Sequence, residues 1–238
     1  MSGWQAAGKL PAGVVLAGGT SRRMGGDKAT LRLRGTNLLE HAASLVRALV
    51  GRVLVVGRED AAFPCLVDET PDLGPAGGIA TALRHFGEAC LVLSCDLPLM
   101  DAGTLRRLLA VWQKRENPET LAAVCRDRQS GLWEPLVAVY EPGFLPLLDA
   151  GLASGKNKIV SHLPENRVCF LDYGEDEALP FFNLNRPADL ALLRRCLELS
   201  GQVFAIDLLL KQLEKENARL KKLPAEKEPS IEIPKEIN

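Results

Sequence analysis

GVVLAGGTSRRMGGDK, residues 13–28, decides how the rest of the chain is read. A short apolar run ends in a loop that packs four glycines and three cations into the thirteen residues from Leu16 to Lys28. A turn needs one or two glycines and no such charge. Glycines let backbone N–H groups converge on phosphate oxygens without side-chain obstruction. Arg22, Arg23 and Lys28 can add charge-assisted bonds to a polyphosphate. The P-loop spacing fails, because Asp27 precedes Lys28 and Ala29 follows it. The dinucleotide pattern GxGxxG fails too, since Gly18-Gly19 and Gly25-Gly26 are adjacent pairs. What survives is the physics: an anion-wrapping loop directly after a first strand, where open α/β sheets bind ligands.

Outward from this loop, further apolar runs recur. RVLVVG (52–57), CLVLS (90–94), LAAVC (121–125), EPLVAVY (134–140) and VCFLDY (168–173) read as strands. Between many of them lie stripes at helical spacing. One is Leu38, Leu39, Ala42, Leu45, Val46 and Leu49; another is Leu105, Leu108, Leu109 and Trp112. Runs apolar on both faces and separated by helices predict a largely parallel sheet covered on each side. LAAVC and EPLVAVY are joined only by RDRQSGLW, which fits an antiparallel excursion instead. The expectation is a three-layer α/β domain over residues 10–200.

After Ser200 the character changes. AIDLLLKQLEKENARLKKL (205–223) is a charged amphipathic helix with Ile206, Leu213 and Leu220 seven residues apart, and Leu210 and Asn217 interleaved. Two such heptads, with an Asn at a core position, resemble a short dimeric coiled coil; packing of the helix on its own domain is the alternative. Residues 203–238 are expected to hold this helix and a disordered Pro- and charge-rich tail. The helix is a candidate for weak homodimerisation or for docking a partner enzyme.

The 238 residues carry 29 Lys and Arg against 30 Asp and Glu, so bulk charge does not recruit nucleic acid and any anion site is local. No run of about 18 apolar residues predicts a membrane span. The start, MSGWQAAGKLPAG, lacks the apolar core of a signal peptide. The six cysteines are scattered without a CxxC pair, which predicts neither a zinc site nor a disulfide framework. The expected setting is the cytoplasm.

Leu16, Ala17, Gly18, Gly19, Ser21, Arg23, Met24, Gly25, Asp27 and Lys28 match L-A-G-G-x-S-x-R-M-G-x-D-K position by position. This resembles the signature of the molybdenum cofactor guanylyltransferases, nucleotidyltransferases with a Rossmann-like sheet. The resemblance continues through LVDETPDLGPAGGI (66–79), LSCDLP (93–98), GLWEPLVAVY (131–140) and FNLNRPADL (182–190).

Such enzymes transfer GMP from GTP to the terminal phosphate of molybdenum-bound molybdopterin and release pyrophosphate. The resemblance implies Mg2+ as cofactor, GTP and the metal-bound pterin as substrates, and a molybdoenzyme or chaperone as a possible partner. It assigns Lys28, and then Arg23, to the triphosphate, with Leu16, Ala17, Gly18 and Gly19 meeting the nucleotide mainly through backbone groups. Asp96 falls on the family's metal-binding Asp; a turn Asp before Leu97-Pro98 is the structural alternative. Asp68 falls on an Asp that contacts GTP. Asn183 and Asn185 match paired asparagines near the acceptor, although Asn185 is also placed as a helix N-cap. Lys156 and Lys158 lie in a basic stretch able to meet the anionic pterin or only water. His41, His85 and His162 are isolated and carry no expected role in catalysis.

Two departures matter. GPAGG (74–78) replaces the usual G-P-L-A-G, and Gly57 stands near a position where the family often has a nucleotide-touching Asn. The alternatives are a cytidylyltransferase acting on the same pterin, whose first motif typically reads LAAG, and a cofactor carrier without catalysis.

Overall fold

The computed structural model describes residues 9–18, 31–33, 36–60, 62–67 and 73–185, together with residues 188, 189, 191 and 193. The chain to Asp189 makes one compact unit, and Leu190 onward makes a second. The helix and tail expected over 203–238 lie outside the described residues.

In chain order the elements are β1 (Ala12–Leu16), β2 (Arg32–Leu33), β3 (Thr36–Asn37), α1 (Leu38–Val50), β4 (Val53–Val56), β5 (Cys65–Leu66) and α2 (Gly74–Phe86). They continue with β6 (Cys90–Ser94), α3 (Ala102–Gln113), β7 (Ala122–Asp127), β8 (Trp133–Tyr140), α4 (Leu145–Ala153) and β9 (Val168–Tyr173). Seven strands form one sheet in the order β5-β4-β1-β6-β8-β7-β9, and β2 pairs with β3 in a small separate ribbon. All neighbours run parallel except β8, which is antiparallel to both β6 and β7.

That exception is the excursion read from RDRQSGLW. A turn too short for a crossover helix forces the next strand to run back. The turn is held by Asp127: its carboxylate accepts from the Gln129 N–H at 2.8 Å and the Ser130 hydroxyl at 2.6 Å, and Gly131 takes φ +69°.

The central strands are apolar throughout because both their faces are covered. Val15, Val55, Leu91, Leu93 and Val139 pack with Val46, Leu105 and Leu109 on the α1/α3 side. Val14, Leu16, Val56, Val92 and Tyr140 pack with Ile79, Leu83 and Phe144 on the α2/α4 side. Alternate residues of each strand thus feed opposite layers, as a pleat requires.

Helix starts follow from capping. Asn37 and Glu40 close a reciprocal capping box at α1, with contacts of 2.7 and 3.0 Å. Asp101 caps α3 by accepting from the Thr104 N–H at 3.0 Å and its hydroxyl at 2.9 Å. The strand order reverses between β1 and β6, so the carboxyl ends of these two strands flank the crevice where such sheets bind ligands.

Candidate active site at the carboxyl edge

The end of β1 is pinned between its neighbours. The Leu16 carbonyl accepts from Cys95 N–H at 3.1 Å, and Ala17 N–H donates to the Val56 carbonyl at 2.9 Å. Leu16 and Ala17 are buried, and the chain emerges at Gly18. A Cβ on Gly18 would stand 3.2 Å from the Gly57 Cα, and Gly57 itself has φ +95°. Gly57 thus sits in a left-handed backbone region that favours glycine, and Gly18 passes close to it. Gly19, Arg22, Arg23 and Lys28, the rest of the glycine loop's assigned residues, lie outside the described residues, as does Asp68.

Across the switch point, β6 ends at Ser94 and the chain turns at Cys95-Asp96. The Asp96 backbone carbonyl accepts from the Leu184 N–H at 2.9 Å. Leu184 is fully buried, whereas Asn183 and Asn185 on either side of it are exposed. An extended strip of this alternation buries its middle residue and turns its two amides outward. The residues matched to the metal and to the acceptor thus lie side by side, although far apart in sequence. Asn185 also donates its backbone N–H to the Asp189 carboxylate at 2.9 Å, next to residues in helical conformation.

The GPAGG stretch opens α2 as expected. Pro75 occupies the first turn, and Gly74 enters with φ +63°. The residue before it, Leu73, provides no side-chain cap, and the first turn has no acidic group. Its first N–H groups stand at the positive end of a 13-residue helix. The small residues at 76 and 77 have a packing reason. Ala76 is wholly buried, and a Cβ on Gly77 would come within 2.6 Å of the Leu73 Cβ.

Support for the Asn183–Asn185 strip comes from residues that sequence reading did not single out. The Tyr173 hydroxyl at the end of β9 donates to Glu134 Oε1 at 2.9 Å, reaching past β7 to the head of β8. Burial pushes the Tyr173 phenol well above its ordinary range, and the Glu134 carboxylate adds to this, so it remains a donor. Its ring stacks on Phe181 at 3.9 Å between centroids and 14° between planes. Glu177 accepts from Gly174 N–H at 3.2 Å and pairs with Arg107 of α3, whose guanidinium holds its carboxyl below the usual range. The only sequence signal was Glu134 within GLWEPLVAVY, a matched motif with no role attached.

Other candidates prove structural or remain at the surface. The His162 ring lies against Gly151, where a Cβ would stand 2.2 Å from it, and its Nε2 is 2.9 Å from the Lys156 carbonyl. Lys156 and Lys158 are exposed. Arg126 grips Asp172 with two bonds of 2.7 and 3.1 Å and lies over Phe170 at 3.9 Å. That guanidinium holds the Asp172 carboxyl below its ordinary value.

A mostly parallel sheet with a glycine-rich sequence after its first strand and an aspartate across the switch point is the frame of a nucleotidyltransferase. The chain belongs to the MobA-like NTP transferase family, whose model matches residues 13–168. It is 35% identical over 188 residues to a probable molybdenum cofactor guanylyltransferase of Carboxydothermus hydrogenoformans, covering 74% of this chain and 90% of that protein. A protein of the same description from Pelotomaculum thermopropionicum is 32% identical over 207 residues, covering 82% of this chain and 98% of its own. Among solved structures, molybdopterin-guanine dinucleotide biosynthesis protein A of Archaeoglobus fulgidus superposes with TM-score 0.64 at 25% identity, over 81% of this chain and all of that one. Rv0371c of Mycobacterium tuberculosis, solved with manganese, shares the fold with TM-score 0.50 at 20% identity, over 70% of this chain and 89% of its own.

Proposed function

We infer that this chain transfers the guanylyl group of GTP to the terminal phosphate of molybdenum-bound molybdopterin. The acceptor phosphate oxygen attacks the α-phosphorus. A new P–O bond forms, the bond to the β-phosphate oxygen breaks, and pyrophosphate leaves with the electron pair. The attacking phosphate is already ionised near neutral pH, so no general base is needed. The work is positioning and charge neutralisation.

Lys28 and Arg23 neutralise the triphosphate, while Gly18 and Gly19 offer backbone N–H groups to it. Asp68 accepts from guanine N–H groups or ribose hydroxyls. Asn183 and Asn185 orient the acceptor. Among the described residues no three His, Cys, Asp or Glu side chains cluster as a metal centre. Among the described residues the switch point offers one carboxylate, Asp96, on the turn hydrogen-bonded to the Asn183–Asn185 strip. That suits Mg2+, which takes one or two carboxylates and completes its shell with phosphate oxygens and water. When bound, the ion offsets charge on the reacting phosphates.

The observation that carries this reading is the Leu184–Asp96 hydrogen bond, which brings the metal and acceptor residues together at the switch point of a family member. None of the described cysteines is in a disulfide. Among the described residues no helix is long and apolar enough to cross a membrane.

The test is pyrophosphate release with Mg2+ and the metal-bound pterin, with GTP, CTP, ATP and UTP in parallel. Release with GTP supports the reading, and preference for CTP moves the chain to the cytidylyl branch. Asp96→Ala is expected to abolish conversion while pterin binding persists. Unchanged conversion overturns the metal assignment.

A further inference from the structure

We propose that Glu134, Tyr173 and Phe181 are positioning residues that set the Asn183–Asn185 strip against Asp96. The inference rests on the proposed site and adds to it residues that touch neither substrate. Its basis is a continuous line of contacts. Glu134 heads β8 and takes the Tyr173 hydroxyl at 2.9 Å. Tyr173, the last residue of the outermost strand, stacks flat on Phe181 at 3.9 Å. Two residues on, Asn183 begins the strip, whose buried Leu184 donates its N–H to the Asp96 carbonyl at 2.9 Å.

The return from β9 is also fastened at its start. Glu177 binds Gly174 N–H and Arg107, tying the segment to α3. A connection over residues 174–182 needs none of this to cross the surface; loops with few anchors open readily. Three separate fixings, to α3, to β8 through Tyr173, and to the β6 turn, are explained if the position of the strip matters. The line ends on two exposed amides beside Asp96, and an orienting group displaced by about 1 Å costs on the order of a hundredfold in rate.

The experiment uses the full chain with Tyr173→Phe, Phe181→Ala and Phe181→Tyr. GTP and the metal-bound pterin are varied separately, and hydrogen exchange of the Leu184 amide is followed by NMR without substrate. Phe181→Ala is expected to raise KM for the pterin by about tenfold with KM for GTP within about twofold. Its Leu184 amide should exchange at least about tenfold faster. Phe181→Tyr, which keeps the ring, should restore both, and Tyr173→Phe should fall between.

Equal rises in both KM values, or undiminished Leu184 protection in Phe181→Ala, overturn the proposal. If Phe181→Ala does not fold, Tyr173→Phe, which removes one hydroxyl, decides by the same two readouts. The exchange measurement needs no turnover. A wild-type chain that releases no pyrophosphate therefore defeats the proposed reaction, while a strip indifferent to Phe181 defeats only the brace.

Discussion

Gly77→Ala sets two opposed effects against each other. Alanine is favoured over glycine inside a helix by about 0.8–1 kcal/mol, which by itself stabilises α2. The new Cβ, however, would stand 2.6 Å from the Leu73 Cβ, well inside the ordinary contact range that begins at 3.4 Å. Leu73 meets it with its first side-chain carbon, not a flexible tip, so no rotamer change relieves the clash. The backbone at the head of α2 has to give by nearly 1 Å, and overpacking of this kind costs about 1–3 kcal/mol. The expected balance is a net loss of about 0–2 kcal/mol, the clash offsetting or exceeding the propensity gain.

Function is the more telling readout. The displaced segment is the start of α2, so KM for GTP should rise several-fold while KM for the pterin holds. Urea unfolding and steady-state kinetics on the same preparation measure both. A variant about 1 kcal/mol more stable than wild type, with KM for GTP unchanged, would refute the close approach of Gly77 to Leu73 and the account of GPAGG built on it.

Three further outcomes are expected. Because Arg126 lowers the Asp172 carboxyl, the pair stabilises the fold above the ordinary Asp pKa and loses that contribution as pH falls through the lower folded value; both groups are partly exposed, so the amount is no more than about 1 kcal/mol. Acid unfolding of Asp172→Asn should show a shallower dependence over that range, and an unchanged acid limb counts against the pairing. Trp112→Phe removes the 2.6 Å bond from the indole N–H to Glu141 but leaves that carboxylate its 3.0 Å contact with Arg115. The loss should be about 1.5–3 kcal/mol in urea unfolding, and no loss at all would contradict the contact. Burial pushes the Cys90 thiol up to about 12 and Cys125 higher still, so iodoacetamide should alkylate Cys65 and Cys169 of the native chain well before either. Mass spectrometry of timed digests reports the order.

The layers were legible because their cause is local. The apolar runs at 13–17 and 90–94 are buried on both faces, the edge run at 168–173 is half-buried, and the stripes of α1 and α3 pack in the core beside them. Strand ends moved by a residue or two, as hydrogen bonding in the sheet and not hydropathy sets them. The β2–β3 ribbon left no such trace, since two-residue strands have no period to read.

Asp96, Asn183 and Asn185 were singled out by motif resemblance, and the Leu184 N–H to Asp96 carbonyl bond joins their two segments. Gly57 reads as a departure from the family's Asn; its positive φ favours glycine there, and Gly18 passes close by. The Glu134–Tyr173–Phe181 line was not legible. Its partners sit on three elements and are joined only by sheet order, which no spacing along the chain encodes.

The reversed direction of β8 has a consequence for how such a scaffold can diversify. β6 reaches the working edge and leaves into α3, an element that packs on the core, so lengthening its link risks disturbing that layer. The passage from β7 to β8 reaches the same edge and returns within residues 128–132, and its Leu132 is among the most exposed large apolar side chains described. Extra residues inserted there would extend a strand-to-strand turn at the carboxyl edge without displacing any helix. It is the natural graft point for adding binding surface at that edge while the layered core stays intact.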